Sequence, residues 1–140
     1  MAKIKLEFDY EIDFFLLGIS CHLPDYRTAF ILNKLLHFDF DRQKDIDLQR
    51  SKQGNKQYHS LFLHDDEENY TTAYLIANRS TSGYFVPELK QLDYFLQLWL
   101  PNNESDMFNE IHEQLISEKS ILACVKVDPD QLKSKHNFFF

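Results

Sequence analysis

Carboxylates cluster twice along the chain, at spacings where they could bind a cation. The run His64–Glu68 offers nitrogen and oxygen ligands, but it lacks the spacing and the central glycine of a calcium loop. Four further carboxylates alternate in a way that would place them on one strand face: Asp39, Asp41, Asp45 and Asp47. Neither group shows the converging ligands that a metal needs. We interpret the first as the polar connection of a hairpin, His64–Asn69, and the second as a solvent-facing stripe, and we predict no metal and no cofactor.

Thiol and imidazole side chains raise a second kind of chemistry, nucleophilic catalysis. Cys21 and His22 are neighbours, and His112 lies far along the chain. Adjacent residues on a strand point to opposite faces, so Cys21 and His22 cannot easily pair. Cys21 does stand just before a predicted helix N-terminus, a position that can activate a thiol, so this route stays open. The simpler interpretation is that Cys21 and Cys124 are buried free thiols of a reducing compartment.

Composition argues against several classes of protein. Of the 140 residues, 44% are hydrophobic, which is enough for a sizeable core, and the length fits one domain spanning residues 1–140. The net charge of -7 and the lack of clustered Lys and Arg argue against a nucleic-acid partner. The longest apolar run, Phe14–Ile19, is too short to cross a bilayer, and the first residues lack a signal-peptide pattern. We therefore expect a cytoplasmic protein with no membrane partner.

Apolar patterning predicts the elements that must position these side chains. It indicates strands at Lys3–Phe8, Ile12–Ser20, Tyr58–Leu63, Tyr70–Asn78, Leu92–Leu100 and Ile121–Val127, and an uneven one within Phe38–Gln49. A period of 3.6 predicts one helix over residues 24–37 and a second one capped by Asn103. Asn33, on the apolar face of the first helix, is predicted to tie that helix to neighbouring backbone. We predict an α+β fold, a mainly antiparallel sheet of about five to six strands with two helices packed on one face.

The Leu92–Leu100 strand has apolar side chains on both faces. Its even positions, beginning with Leu92 and Tyr94, form an aliphatic face. The opposite face carries Asp93, Phe95, Gln97 and Trp99. Exposed Phe and Trp together are unusual for a monomer. One interpretation is that Phe95 and Trp99 form an interface, in a homodimer or with a protein partner. The other is that the N-terminal strand or the Phe138–Phe140 tail covers them, and both stay open.

The most individual stretch is Val86–Tyr94, which reads VPELKQLDY. It resembles the signature of the bacterial IPExxxVDY family, in which Ile-Pro-Glu is followed by three variable residues and Val-Asp-Tyr. The residues that match this pattern are Pro87, Glu88, Asp93 and Tyr94. Val86 and Leu92 replace the Ile and the Val of the signature by other aliphatic residues. The resemblance extends to chain length and implies a small cytosolic bacterial protein, without implying a reaction.

The motif residues have two physical interpretations. Pro87 fixes φ and favours a turn before the strand, and Asp93 and Tyr94 point to opposite faces of it. Glu88 can accept hydrogen bonds from backbone N–H groups, so the segment would lock a turn to a strand start. Alternatively, Glu88 and Asp93 form a carboxylate pair that lines a surface for a ligand or partner.

Three function hypotheses follow from these observations. The first is a non-enzymatic protein-interaction or regulatory domain that forms a homodimer, because no coherent catalytic set is visible. The second is a small-ligand-sensing domain of ACT-like or ferredoxin-like type. It rests on a short echo between Ile12–Leu16 and Leu92–Leu96, each of which precedes a helix. The third is an enzyme that uses Glu88, Asp93 or Cys21.

Overall fold

The computed structural model describes residues 12–48 and 56–140, and its regular elements follow the chain in a simple order. The strands are β1 (Phe15–Ser20), β2 (Asp41–Arg42), β3 (Ile46–Asp47), β4 (Tyr58–His59), β5 (Leu61–Asp66), β6 (Thr71–Ala77), β7 (Tyr94–Trp99) and β8 (Ala123–Val127). The helices are α1 (Asp25–Leu36) and α2 (Ser105–Ile116). Six strands form one antiparallel sheet in the order β2-β5-β6-β7-β1-β8, while β3 and β4 pair in a separate ribbon.

Both helices pack on the same face of the sheet, so the predicted α+β fold is confirmed. The apolar face of α1 and that of α2 join the inward side chains of β1, β6 and β7 in one cluster. The helical members of this cluster are Ala29, Leu32, Leu36, Phe108, Ile111 and Leu115. Their spacing of three and four residues is the period that predicted the two helices.

The first helix lies where its sequence predicts it and is one residue shorter at each end. It begins directly after Pro24, whose missing N–H costs nothing there, and His37 ends it in the left-handed conformation with φ 58°. Asn33 ties the helix to the following chain, because its Oδ1 accepts the backbone N–H of Phe40 at 2.8 Å. The prediction for Asn33 is therefore confirmed.

The central strand β7 has two buried faces. Tyr94, Leu96 and Leu98 lie in the cluster beneath the helices. Phe95 lies in a second cluster on the other face. Leu92 also belongs to the second cluster, so its predicted place on the helix side is wrong. The reason is that the strand begins only at Tyr94, and alternation does not extend into the turn that precedes it.

The C-terminal segment covers the second face of β7. The ring of Phe138 lies 5.7 Å from that of Phe95, measured between centroids, and the side-chain amide of Gln97 donates to the Phe138 carbonyl at 3.2 Å. Phe95 keeps no exposed surface, and Trp99 remains partly exposed. Phe95 is therefore covered by the Phe138–Phe140 tail, which is one of the two interpretations of this face.

The acidic stripe predicted within Phe38–Gln49 is divided between two sheets. Asp41 lies in β2, which pairs with β5, whereas Asp47 lies in β3, which pairs with β4. Between them Asp45 binds Arg42 at 2.7 Å in an exposed ion pair. The prediction that the four carboxylates share one strand face is wrong, because the chain leaves the main sheet between β2 and β3.

The hairpin between β5 and β6 is tighter than its sequence indicates. The strand pairing continues to Asp66 opposite Thr71, so only four residues turn the chain. His64 is thus a buried strand residue and not part of a polar connection. Its ring stacks on Phe38 at 4.3 Å, and its Nδ1 accepts the N–H of Asp39 at 3.0 Å.

Some predicted elements are shifted, and others lie outside the described residues. The second helix begins at Ser105 with Glu104 as its N-cap, so the prediction of an Asn103 cap is wrong by one residue. The predicted strand Lys3–Phe8 and residues 50–55 of the predicted loop lie outside the described ranges.

Candidate functional site

The backbone of the Val86–Tyr94 motif is held by one buried amide, that of Asn78. This side chain is fully buried just after β6. Its Oδ1 accepts the N–H of Val86 at 2.8 Å, and its Nδ2 donates to the carbonyls of Leu89 and Leu92 at 2.9 and 2.7 Å. Pro87 begins the short 3-10 turn that these bonds enclose. The backbone of the motif is therefore held in place by a residue outside the motif.

Leu92 of the motif packs into a gap left by Gly18 of β1. A β-carbon at position 18 would lie 2.2 Å from Cδ1 of Leu92, closer than any real contact. The glycine thus lets the motif lie directly on the sheet. Leu92 is 3% exposed, so this contact is buried.

Glu88 binds the C-terminal segment. Its two carboxylate oxygens accept the backbone N–H and the hydroxyl of Ser134, at 2.9 and 2.8 Å. Partial burial raises the pKa of Glu88, but hydrogen bonds from its own backbone, from Ser134 and from Lys133 outweigh it, and the pKa falls below its ordinary value. Glu88 thus accepts a backbone N–H, but the donor lies in the C-terminal segment, 46 residues away, and not at the start of the following strand.

The Glu88 carboxylate should make stability pH-dependent. Because its pKa is lowered on folding, it stabilises the folded state above the ordinary Glu pKa, and this contribution is lost as pH falls through the lowered value. We expect Glu88→Gln to cost only about 1 kcal/mol near neutral pH, since much of the side chain remains in contact with water, and to cost progressively less in acid. Urea unfolding from pH 7 to pH 3 measures this. The exposed Glu110→Gln is the control, and an equal loss at all pH values would contradict this role of Glu88.

Asp93 has a different set of partners. Its Oδ2 accepts the backbone N–H of Cys21 at 2.9 Å, and the Ser20 hydroxyl lies 3.4 Å from the same atom. Its Oδ1 forms an ion pair with Arg79 at 3.1 Å. The carboxylate is 11% exposed and Arg79 is 60% exposed, so the ion pair stands at the rim of a surface. Asp93 joins the end of β1 to the start of β7.

Tyr94, the last residue of the motif, is bound on the helix side. Its hydroxyl donates to the carbonyl of Leu23 at 2.6 Å, just before α1. Burial raises the pKa of Tyr94 above its ordinary value. The phenol is therefore a neutral tether between β7 and the start of the helix.

A cleft of about 740 Å³ opens beside Asp93 at one end of the sheet. Arg79, Asp25 and Asp45 stand around it, and Ser60 and Tyr94 also line it. Glu88 does not line this cleft, so the structure separates the two carboxylates that could have formed a pair. Among the described residues, the Ser60 hydroxyl has no hydrogen-bond partner. A serine with no adjacent base is not an activated nucleophile.

The thiols serve structure. Burial raises the pKa of Cys124 to about 12, which keeps it protonated. The Cys21 sulfur lies 3.7 Å from the Thr28 hydroxyl. Both thiols are buried and free, as the sequence suggested.

Two of the imidazoles also serve structure. The Nε2 of His112 binds the Cys124 carbonyl at 2.9 Å. His59, fully buried, bridges the carbonyl of Ala77 and the side chain of Gln57, at 2.8 Å each. Within residues 12–48 and 56–140, no group of three His, Cys, Asp or Glu side chains is placed to hold a metal ion. In the same ranges, no helix has the length and apolarity to cross a membrane.

Sequence reasoning missed Asn78 and Arg79, which do most to organise the motif and the cleft. Both follow the apolar run of β6 directly, and their partners lie 8 to 14 residues further on. A buried side-chain amide needs hydrogen-bond partners. The partners of Asn78 lie in a later turn, so its role can be recognised only when the position of that turn is known. No protein-family model matches the chain, and no curated protein matches it either. The resemblance to the IPExxxVDY family stays a prediction.

Proposed function

We propose that this chain is a non-enzymatic interaction domain that forms a homodimer through the free edge of β8. The observation that carries the proposal is the contrast between the two edges of the sheet. At one edge lies β2, two residues long and made of Asp41 and Arg42, which are both exposed. At the other lies β8, five residues long and paired, among the described residues, with β1 alone. Proteins protect edges with short strands and charges, and only the first edge has them.

The absence of activated groups in the described part supports a non-enzymatic role. Its buried thiols are packed or protonated, and the imidazoles of His59, His64 and His112 bind backbone atoms. A nucleophile must be activated by an adjacent group. The Ser60 hydroxyl has no hydrogen-bond partner among the described residues, and burial keeps the Cys124 thiol protonated.

The hydrogen-bonding groups of β8 favour a symmetric partner. The N–H of Leu122 donates to the Ser20 carbonyl at 2.8 Å, toward β1. That bond is one residue out of register with the β1–β8 pairing, so it marks a bulge before the strand. Within the strand the odd-numbered residues bond to β1, because the N–H of Asn78 donates to Asp93 and the alternation continues from there through β7 and β1. The N–H and carbonyl groups of Cys124 and Lys126 therefore point away from β1. An antiparallel copy centred on Val125 pairs Cys124 with Lys126 of the second chain and places Val125 opposite itself. A two-fold interface of this kind satisfies both edges at once.

The side chains near the edge are compatible with a second copy. Val125 is 44% exposed, Leu122 just before the strand 60%, and Ile116 at the end of α2 54%. The one charged residue of the strand, Lys126, has its ammonium on Asn109 and over the ring of Phe108. Its charge therefore lies over α2 and does not protect the edge of β8 against pairing with another strand.

Light scattering after size exclusion tests the proposal. We expect the protein to elute with twice the 16.8 kDa mass of one chain. Val125→Lys places two like charges opposite each other across the two-fold axis, so the variant should elute as a monomer. The control is Phe30→Lys, a change at a 60% exposed position on α1, which should remain dimeric. A monomeric wild type, or a dimer unaffected by Val125→Lys, overturns the proposal.

A small-ligand-sensing role is the second candidate, and the cleft beside Asp93 favours it. There Asp93 orients the Arg79 guanidinium, most of whose surface stays open to a ligand, and the unpartnered Ser60 hydroxyl lies in the same cleft. A thermal-shift screen of amino acids and nucleotides tests this role, and Arg79→Ala should abolish any hit. A uniformly negative screen counts against it.

A further inference from the structure

A second pocket lies on the face of the sheet that the C-terminal tail covers, away from the Asp93 cleft. It has a volume of about 510 Å³, within the range of small-molecule sites. Its walls are aromatic: Tyr74, Trp99, Phe139 and Phe140. The Tyr74 and Phe140 rings meet edge to face at 5.0 Å, and none of the described residues that line the pocket has a charged side chain. Such walls suit a neutral, flat molecule.

One polar side chain that lines this pocket, that of Gln97, is fully buried. Its Nε2 donates to the Phe138 carbonyl at 3.2 Å. This bond fixes the orientation of the amide, because the amide oxygen has no hydrogen to donate to a carbonyl oxygen. Its Oε1 has no hydrogen-bond partner among the described residues. A buried acceptor without a partner is costly, and native proteins leave few of them. The pocket thus holds one acceptor that needs a donor.

We infer that this pocket binds a neutral planar aromatic molecule with one ring N–H donor, of the indole class. The ring packs among Trp99, Tyr74 and Phe140, and its N–H donates to Oε1 of Gln97. A hydrocarbon without an O–H or N–H group would leave Oε1 unpaired. A quaternary ammonium, which aromatic walls also attract, has no N–H to donate. The ligand class therefore rests on the aromatic walls and on the unpartnered Oε1 of Gln97 together.

Nuclear magnetic resonance tests this inference with two probes that differ by one methyl group. Trp99 is the single tryptophan, so its indole N–H gives one cross-peak in a ¹H–¹⁵N spectrum, at the pocket wall. We expect indole to shift this peak and the Gln97 side-chain amide peaks in a saturable way. We expect 1-methylindole, which lacks the donor, to bind at least about tenfold more weakly, because it leaves Oε1 unpaired.

Two aromatic-to-alanine variants separate the pocket from general surface binding. Phe140 is 49% exposed and forms one wall, so Phe140→Ala should weaken indole binding at least about fivefold without unfolding the chain. Phe30, 60% exposed on α1, should tolerate the same change with unaltered binding. The inference is overturned if indole shifts neither peak, as expected if water alone satisfies Oε1. Equal affinity for both probes, or loss of binding in Phe30→Ala, also overturns it.

Discussion

Replacing Asn78 by alanine is expected to lower the free energy of unfolding by about 3 kcal/mol. The change leaves two buried groups without a hydrogen-bond partner, the N–H of Val86 and the carbonyl of Leu92. Among the described hydrogen bonds, both are bound by Asn78 alone. Each unpaired buried group costs about 1–3 kcal/mol. The Leu89 carbonyl keeps a second donor, the N–H of Leu92 at 3.2 Å, and adds less. Urea unfolding followed by circular dichroism measures the loss.

The control for this prediction is an asparagine with an exposed side-chain bond. Asn69 lies in the turn after β5 and donates to Asp66 at 2.7 Å in solvent, so Asn69→Ala should cost less than about 1 kcal/mol. Asn78→Asp keeps the side-chain shape but places a carboxylate oxygen, in place of the NH₂ group, against two carbonyl oxygens. This variant should lose at least as much stability as Asn78→Ala. A cost below about 1 kcal/mol for Asn78→Ala would show that the motif does not depend on this amide.

Removing the ring of Phe138 is expected to have an effect of similar or larger size. The side chain is 2% exposed, and its ring packs on those of Phe14, Phe85 and Phe95 at centroid distances of 5.9, 5.0 and 5.7 Å. Substitutions of a buried Phe by Ala typically cost about 3–5 kcal/mol. We expect Phe138→Ala to fall in this range in urea unfolding, and to increase binding of a hydrophobic dye as the face of β7 becomes accessible.

Phe140 provides the matched comparison two residues later. It is 49% exposed and contacts Tyr74, so Phe140→Ala should cost less than about 1 kcal/mol. Similar losses for the two variants would mean that the tail binds as a loose unit. A small loss for Phe138→Ala alone would contradict the assignment of this ring to the core.

Patterns within one element could be predicted from the sequence. The bounds of α1 and the alternation of Tyr94, Phe95 and Leu96 depend on local geometry, which periodicity reports directly. The tie made by Asn33 was predictable for a similar reason, because its acceptor and donor are seven residues apart. These observations were sufficient for the fold class and for placing both helices on one face.

Features that depend on distant partners could not be predicted. Ser134 binds Glu88 across 46 residues, and Cys21 binds Asp93 across 72. Nothing in the spacing of either carboxylate identifies its donor, so the choice between a paired site and two separate locks stayed open. His64 was misplaced because its polar neighbours dominate the composition of the segment, although β6 pairs with it as a strand.

The motif therefore connects four parts of the chain. Asn78 fixes its backbone, Glu88 holds the C-terminal segment, Asp93 holds the end of β1, and Tyr94 holds the start of α1. This is more than a turn needs. The carboxylates of Glu88 and Asp93 both bind groups of the fold itself. The binding surfaces that we propose are therefore formed mainly by residues outside the motif.

The strand order has a consequence for the newly made chain. Gly18 of β1 pairs with Phe95 of β7 on one side and with Val125 of β8 on the other, so both neighbours of this strand lie far along the chain. At about 5–20 residues per second of synthesis, β1 waits roughly 4–15 s for β7 to be made. During that time the β5–β6 hairpin can form, while the apolar β1 has no sheet to join.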